Sequence, residues 1–506
     1  MTAPLPSRIS QLFKPIPALP IRALLVLIAA LATASAAHAQ SSGSEASPGS
    51  GHILLVLPFD NLTSSQTGPS STAPATGQDT SPGPNSGNEQ SNLDWLREAA
   101  PEVLNSRFTS AGFLPLTRED RLYALDHLGL PETFQPSRAT ALRIAETLDA
   151  NYILIGSYTV SGATLNLKAR IVDVAKLRIS EDITQSGPIA QLIPLLNSLA
   201  WQLTRKLDPS FKVAEETFRA AGAGVRLDAF EQYIRGLTER DPQERLRHLK
   251  KATELSPDFS TAWLATGKQQ FASQQYEQAA VSFSKVTHSD PAELEAGFYR
   301  GLSLIFSGNY PRAEEAFAGI ARVLPLPEVV NNEAVAISRR GHDAIALFRQ
   351  AEAADPTDAD YHFNLAVSLH SHGGKAEALA ELAQSLKLRP NDSEAKAAEA
   401  AWKSSPERPQ TANPIERIKR SYNGAAFRQA ALMLDQVEAT HLATISPAER
   451  ATRLSKSARE KLNRGLLLEA ERGFQAALAA DPGNTDAKTG LTQVRERAGT
   501  IESTQK

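Results

Sequence analysis

The sequence predicts an α+β multidomain chain, a small mixed α/β domain followed by an all-α array of stacked helical pairs. Three observations carry this reading. Pro257, Pro291 and Pro325 stand 34 residues apart, Pro356 follows after 31 and Pro390 after 34 again, a step of helix–turn–helix size. Upstream, Leu165, Leu167, Ala169 and Ile171 alternate with polar residues, as in a strand with one covered face. The 506 residues also exceed one core, given about 150 residues per domain. With 53 basic against 56 acidic residues, the chain lacks the basic excess of a nucleic-acid binder. The absence of cysteine excludes disulfides, thiol nucleophiles, cysteine–zinc sites and a lipidated cysteine anchor.

Residues 1–39 read as a signal peptide. Arg8, Lys14 and Arg22 precede an apolar run over 23–32, and Ala37-His38-Ala39 precedes Gln40, placing the expected cleavage between Ala39 and Gln40. The run is shorter than the roughly 20 residues that span a bilayer. The expected location is the periplasm, with association to the outer membrane as a further placement; a retained leader would instead act as an anchor. Residues 40–51 form a flexible Ser/Gly-rich leader. The apolar run over 53–57, closed by Pro58, suits a strand covered on both faces. Residues 63–91 have almost nothing apolar to bury and are expected to be a disordered insertion. Leu93, Leu96, Ala100, Val103, Leu104 and Phe108 share one helical face. A short strand at 113–116, a helix over 137–148 capped by Ser137, strands over 152–160, 165–171 and 177–183 and a helix over 188–207 complete a domain spanning 52–212. Residues 213–225 read as a linker.

The stretch Leu55-Val56-Leu57-Pro58-Phe59-Asp60-Asn61-Leu62, with Ala150-Asn151-Tyr152-Ile153-Leu154-Ile155-Gly156-Ser157-Tyr158 and Ala169-Arg170-Ile171-Val172-Asp173-Val174, resembles the amino-terminal domain of TolB and the related envelope proteins CsgG and FlgO. The resemblance implies a bacterial envelope protein whose α/β domain contacts other proteins, and it implies no catalytic residue. The propeller of TolB has no counterpart, and the cysteine that lipidates CsgG is absent.

Within the array (226–402) one repeat reads Trp263, Gly267, Ala279, Phe283, Pro291 and the next Gly301, Ala313, Phe317, Pro325. A shortened repeat keeps Ala344, Phe348 and Pro356, and a fourth has Leu365, Ala366, Ala378, Leu382 and Pro390. Alanine and a bulky residue four apart share a helix face; proline halts the second helix because it lacks an N–H. After a linker at 403–413, helices are expected over 415–422, 425–439, 451–462 and 466–480, the last with Ala470, Phe474 and Pro482. An end helix over 485–497 and a tail at 498–506 follow. The pattern is similar to the tetratricopeptide repeat family, which implies a groove lined by the first helix of each pair. The family's offsets from the aligned proline fall on Leu264, Lys268, Phe271, Phe298, Leu302, Ile305, Phe363, Val367 and His370. Large apolar groups there suit a peptide with hydrophobic anchors. Lys268 and Leu302 replace the asparagines of a terminal-carboxylate clamp.

Other motifs weigh little. Gly373-Gly374-Lys375 lacks the first glycine and the Ser/Thr of a phosphate loop, since Leu369 and Ala376 stand there. Ser282 and Lys285 have a serine–lysine spacing without companion motifs. His362, His370 and His372 lack the spacing of a metal site. The basic strings 245–251 and Arg417-Ile418-Lys419-Arg420 read as solvated helix faces. The leading expectation is a non-enzymatic, exported scaffold binding envelope proteins or peptides, without cofactor or metal. The alternatives are an envelope enzyme or ligand-binding protein centred on Asp60 and Asn61 at the carboxyl end of the first strand, and a CsgG-like assembly or secretion factor.

Overall fold

A computed structural model describes residues 52–63, 93–132, 137–220, 224–287, 292–404 and 414–504. The signal peptide, the leader at 40–51, nearly all of the 63–91 insertion, Pro291 and most of the 403–413 linker lie outside those residues. The described chain forms two compact units, one from Tyr310–Ser421 and a larger one from Glu45–Asn309 with Tyr422–Lys506.

The larger unit contains a mixed sheet. Strand β1 (Ile53–Val56) lies parallel to β3 (Leu114–Pro115) and to β4 (Tyr152–Ser161). Strand β2 (Asp60–Asn61) adds to β4 further along. Across the turn at Gly162, φ +58°, β4 pairs antiparallel with β5 (Thr164–Asp173), which in turn holds β6 (Arg178–Ile179) and β7 (Ile183–Pro188). The strand expected over 177–183 is thus divided between β6 and β7. It breaks where the Ser180 hydroxyl accepts the Ile171 N–H and Asp182 turns to pair with Lys168 and Arg170.

Burial explains the runs of sequence. Leu54 and Val56 face one core with α1 (Leu96–Ala111) and α4 (Leu192–Leu207), while Leu55 and Leu57 face a second with α2 (Arg118–His127) and α3 (Arg138–Thr147). Strand β1 therefore needs apolar residues at every position. On β5, Leu165, Leu167, Ala169 and Ile171 are buried and Asn166 and Lys168 exposed. Helix α2 escaped the sequence reading because its fully buried apolar residues are only Ala124 and Leu125; a capping box between Thr117 and Asp120 starts it. Residues 213–225, expected as a linker, contain α5 (Glu215–Ala220), whose Thr217, Phe218 and Ala220 are buried. Six residues are too few to reveal a period, and Ala220 is covered by residues far along the chain, among them Ala451 and Ala487.

Helical pairs follow in both units. The larger has α6 (Leu227–Thr238) with α7 (Pro242–Leu255), α8 (Ser260–Ala272) with α9 (Tyr276–Phe283), and α10 (Glu293–Phe306). The smaller has α11 (Tyr310–Ala321), α12 (Pro327–Ser338) with α13 (Ile345–Ala354), α14 (Ala359–Ser371) with α15 (Lys375–Leu388), and α16 (Ser393–Ser404). The larger unit resumes with α17 (Gly424–Thr444), α18 (Pro447–Asn463), α19 (Leu467–Ala480) and α20 (Thr485–Thr504). Ala279, Phe283, Ala313, Phe317, Ala344, Phe348, Ala378, Leu382, Ala470 and Phe474 are all at most 2% exposed. Pro325, Pro356, Pro390 and Pro482 follow the ends of α11, α13, α15 and α19. In the short repeat, Ala344 precedes α13 whereas Ala378 lies inside α15, so the missing residues come out of the helix's first turn.

Two expectations fail at the carboxyl-terminal end. Residues 414–423 are not helical; their hydrogen bonds go to other side chains, as shown below. The tail expected from 498 is the end of α20, because Ala498 is buried against the preceding pair.

A Cβ at Gly267 would stand 2.6 Å from the Phe283 ring. Helix propensity favours alanine by about 1 kcal/mol, while forcing a group against a buried ring costs about 1–3 kcal/mol. Gly267→Ala is therefore expected to lower stability in a urea titration, against its propensity.

Candidate functional site

The first helices of the pairs in the smaller unit, α12, α14 and α16, carry polar residues where a packed helix would otherwise present apolar ones. Asn331, Asn332 and Asn364 are fully buried. Buried carboxamides require partners, and these have the main chain of residues 414–421. Asn364 accepts the Arg417 N–H at 2.6 Å and donates to the Arg417 carbonyl at 2.7 Å, while Asn331 donates to the same carbonyl at 3.1 Å. Two residues on, Asn332 accepts the Lys419 N–H at 2.9 Å and donates to its carbonyl at 2.8 Å. Asn364 and Asn332 thus each imitate a neighbouring strand, while the Asn331 oxygen accepts from Asn364 at 2.8 Å. The i, i+2 spacing is that of an extended chain, whose alternate backbone groups face one way.

Charge fixes which side chains fit. The Arg417 guanidinium meets both Asp392 oxygens at 2.6 and 2.9 Å, Glu394 at 3.0 Å and Asp360 at 3.1 Å, with its carbon 3.6 Å from the Phe363 ring centre. This combines a two-pronged carboxylate pair with cation–π contact. The Lys419 ammonium lies 2.5 Å from Asp358, 2.9 Å from Asp360 and 4.8 Å from the Tyr361 ring centre. Glu416 accepts from the Ser338 hydroxyl, and its carbonyl accepts from Arg339 at 3.0 Å. Burial would raise the Asp360 carboxyl, but hydrogen bonds from Arg389 and Lys419 hold it at about 2; the hydrogen bond from Arg417 lowers Asp392.

Of the groove positions read from the sequence, Phe363 touches this segment through Arg417. Val367 and His370 are buried on α14, His370 stacked on Trp402 at 4.2 Å. In the larger unit Leu264, Phe298, Leu302 and Ile305 are buried; Phe298 meets the Tyr422 and Phe427 rings, and Phe271 those of Tyr276, Tyr299 and Phe306. Lys268 pairs with Glu295 at 3.0 Å and Glu119 at 3.3 Å. A usable signal for the missed asparagines was in the sequence. The offsets that select Phe363 and His370 from Pro356 select Asn332 and Arg339 from Pro325, and both touch the segment.

The remaining candidates have ordinary surroundings. Asn61 donates to Asp94 at 3.2 Å and accepts the Thr63 N–H at 3.0 Å; burial raises the Asp60 carboxyl. Ser282 donates to Gln270 at 2.6 Å. His372 bonds the Ser368 carbonyl. Among the described residues, no group of three His, Asp or Glu is placed to hold a metal ion, and no helix is long and apolar enough to cross a membrane.

His362 has acceptors at both ring nitrogens, Glu381 at 2.8 Å and the Pro356 carbonyl at 3.0 Å. Burial disfavours its charge, yet these partners raise its pKa. A raised value in the fold stabilises fully below the ordinary histidine value and is lost as pH rises through the raised one. His362→Gln should flatten the fall of melting temperature as pH rises above the ordinary histidine value of about 6.5. Separately, Asp392→Asn weakens the hold on Arg417, so trypsin should cleave after Arg417 and Lys419 at least several-fold faster than in wild type, read by mass spectrometry.

Residues 338–393 match the tetratricopeptide repeat family. No curated protein matches the chain. Similar solved structures include MamA 41-end from Desulfovibrio magneticus RS-1, at 20% identity over 33% of this chain and 99% of that one with TM-score 0.31. YrrB, described as a TPR protein with an unusual peptide-binding site, has 16% identity over 40% and 99% with TM-score 0.30. The LpoB C-terminal domain from Escherichia coli has 15% identity over 32% and 93% with TM-score 0.19. The tetratricopeptide repeat match falls on α13, α14 and α15 of the smaller unit, and repeats of that family are in general scaffolds for protein–protein interaction.

Proposed function

We propose that this chain is a non-enzymatic, exported scaffold that grips an extended segment of an envelope protein or peptide in the groove of its repeats. The observation that supports the reading is the set of buried asparagines spent on the main chain of an extended segment. The carboxamides link α14 to α12 through Asn364 and Asn331, but most of their hydrogen bonds go to the segment, as a peptide-binding face requires in order to take up main-chain N–H and carbonyl groups. Export rests on the leader ending at Ala39, and the envelope setting on the TolB-like strings of the α/β domain, which would dock a second protein.

Two measurements test the proposal. With residues 415–420 replaced by Gly/Ser, the full chain should bind members of a mixed peptide array. Adding Asn331→Ala and Asn364→Ala should weaken that binding at least tenfold, since each lost backbone hydrogen bond is worth about 1 kcal/mol. Binding untouched by the asparagine changes would refute the grip. Amino-terminal sequencing of the mature protein should begin at Gln40; a cytosolic pool retaining the leader would refute export.

A further inference from the structure

The groove's resident is a piece of this same chain, and its chemistry is that of a ligand. Its apolar side chains do little to seal the fold: Ile415 is 67% exposed and Ile418 only half-buried. What holds it is a main-chain grip and a charge match at two residues, Arg417 and Lys419. Remove the segment and Asp358, Asp360, Asp392 and Glu394 are left facing one another with Arg389 among them. Such a cluster repels itself in a partly buried groove, so whatever replaces the segment must bring cations. The acidic position before the arginine is also matched, by Ser338 and Arg339 on Glu416.

Building on the peptide-binding reading above, we propose that residues 415–420 are a built-in competitor, and that the partner displacing them presents an extended basic segment of the pattern Glu-Arg-x-Lys. A tethered competitor acts at an effective concentration of about millimolar. A free peptide of equal chemistry therefore meets a mostly closed groove, and its apparent affinity falls by the open fraction. The partner must carry more anchors than these or act at a site that releases the strap.

The test uses the full chain and fluorescent Pro-Ile-Glu-Arg-Ile-Lys-Arg-Ser, measured by anisotropy. The expected result is at least tenfold tighter binding when residues 415–420 are replaced by Gly/Ser, reversed at least tenfold by Asp360→Asn with Asp392→Asn. Should the replacement lose the circular dichroism of the parent, the double variant Arg417→Ser, Lys419→Ser removes the charge match, leaves the segment held by its main-chain hydrogen bonds alone and so easier to displace, and serves instead. Equal binding by wild type and the released chain would overturn the competitor. Equal binding of peptides with leucine or glutamate at the arginine and lysine positions would overturn the basic partner while leaving the peptide-binding reading standing. No binding of any peptide by a folded, released chain would overturn both. A wild-type dimer that the replacement converts to monomer would assign the groove to a second copy and overturn a separate partner.

Discussion

Three carboxamides with no access to water must find hydrogen bonds inside the protein, and in the smaller unit they find them on the main chain of Arg417 and Lys419. Everything about that face follows from the requirement. An unsatisfied buried amide costs about 1–3 kcal/mol, so Asn331, Asn332 and Asn364 must each find a partner beneath whatever chain covers them. They take an extended chain because only an extended chain offers an N–H and a carbonyl on one side at every second residue. The carboxylates around them then select what that chain carries.

The repeats that hold the asparagines obey a different constraint. A hairpin of about thirty residues cannot cover its own apolar face and must stack on its neighbours. Buried alanines such as Ala313 and Ala378 set the close approach, and Phe317 and Leu382 fill the space beside them. Gly490 shows how tight the approach becomes, since a Cβ there would stand 2.2 Å from Phe474. In the α/β domain the same economy appears in another geometry. Phe59 lies against Gly156 on β4, where a Cβ would come within 2.3 Å of its ring, so the glycine of that strand makes room for an aromatic from the neighbouring segment.

Local and distant forces divide the errors of the sequence reading. Helices whose ends and faces carry their own signals, such as α3 with Ser137 accepting the Thr140 N–H, were legible residue by residue. Segments stabilised by distant partners were not. Helix α5 owes its order to Phe218 and Ala220 meeting residues far along the chain. Residues 415–422 have the composition of a charged helix, yet their backbone groups are claimed by asparagines 53 to 87 positions away. Local propensity is a fraction of a kcal/mol per residue, and such a set of buried hydrogen bonds outweighs it.

By itself, the sequence determined the repeat architecture and the two-faced strand of the α/β domain, because both are periodic and periodicity is a property of neighbours in the chain. It also carried the aligned positions Asn332 and Arg339, although not their use. Only the tertiary structure decided that Arg417 and Lys419 are ligands of this protein's own groove. Charge complementarity between Asp392 and Arg417, or Asp358 and Lys419, exists only once folding has brought the starts of α14 and α16 to one side, and no spacing along the chain encodes that meeting.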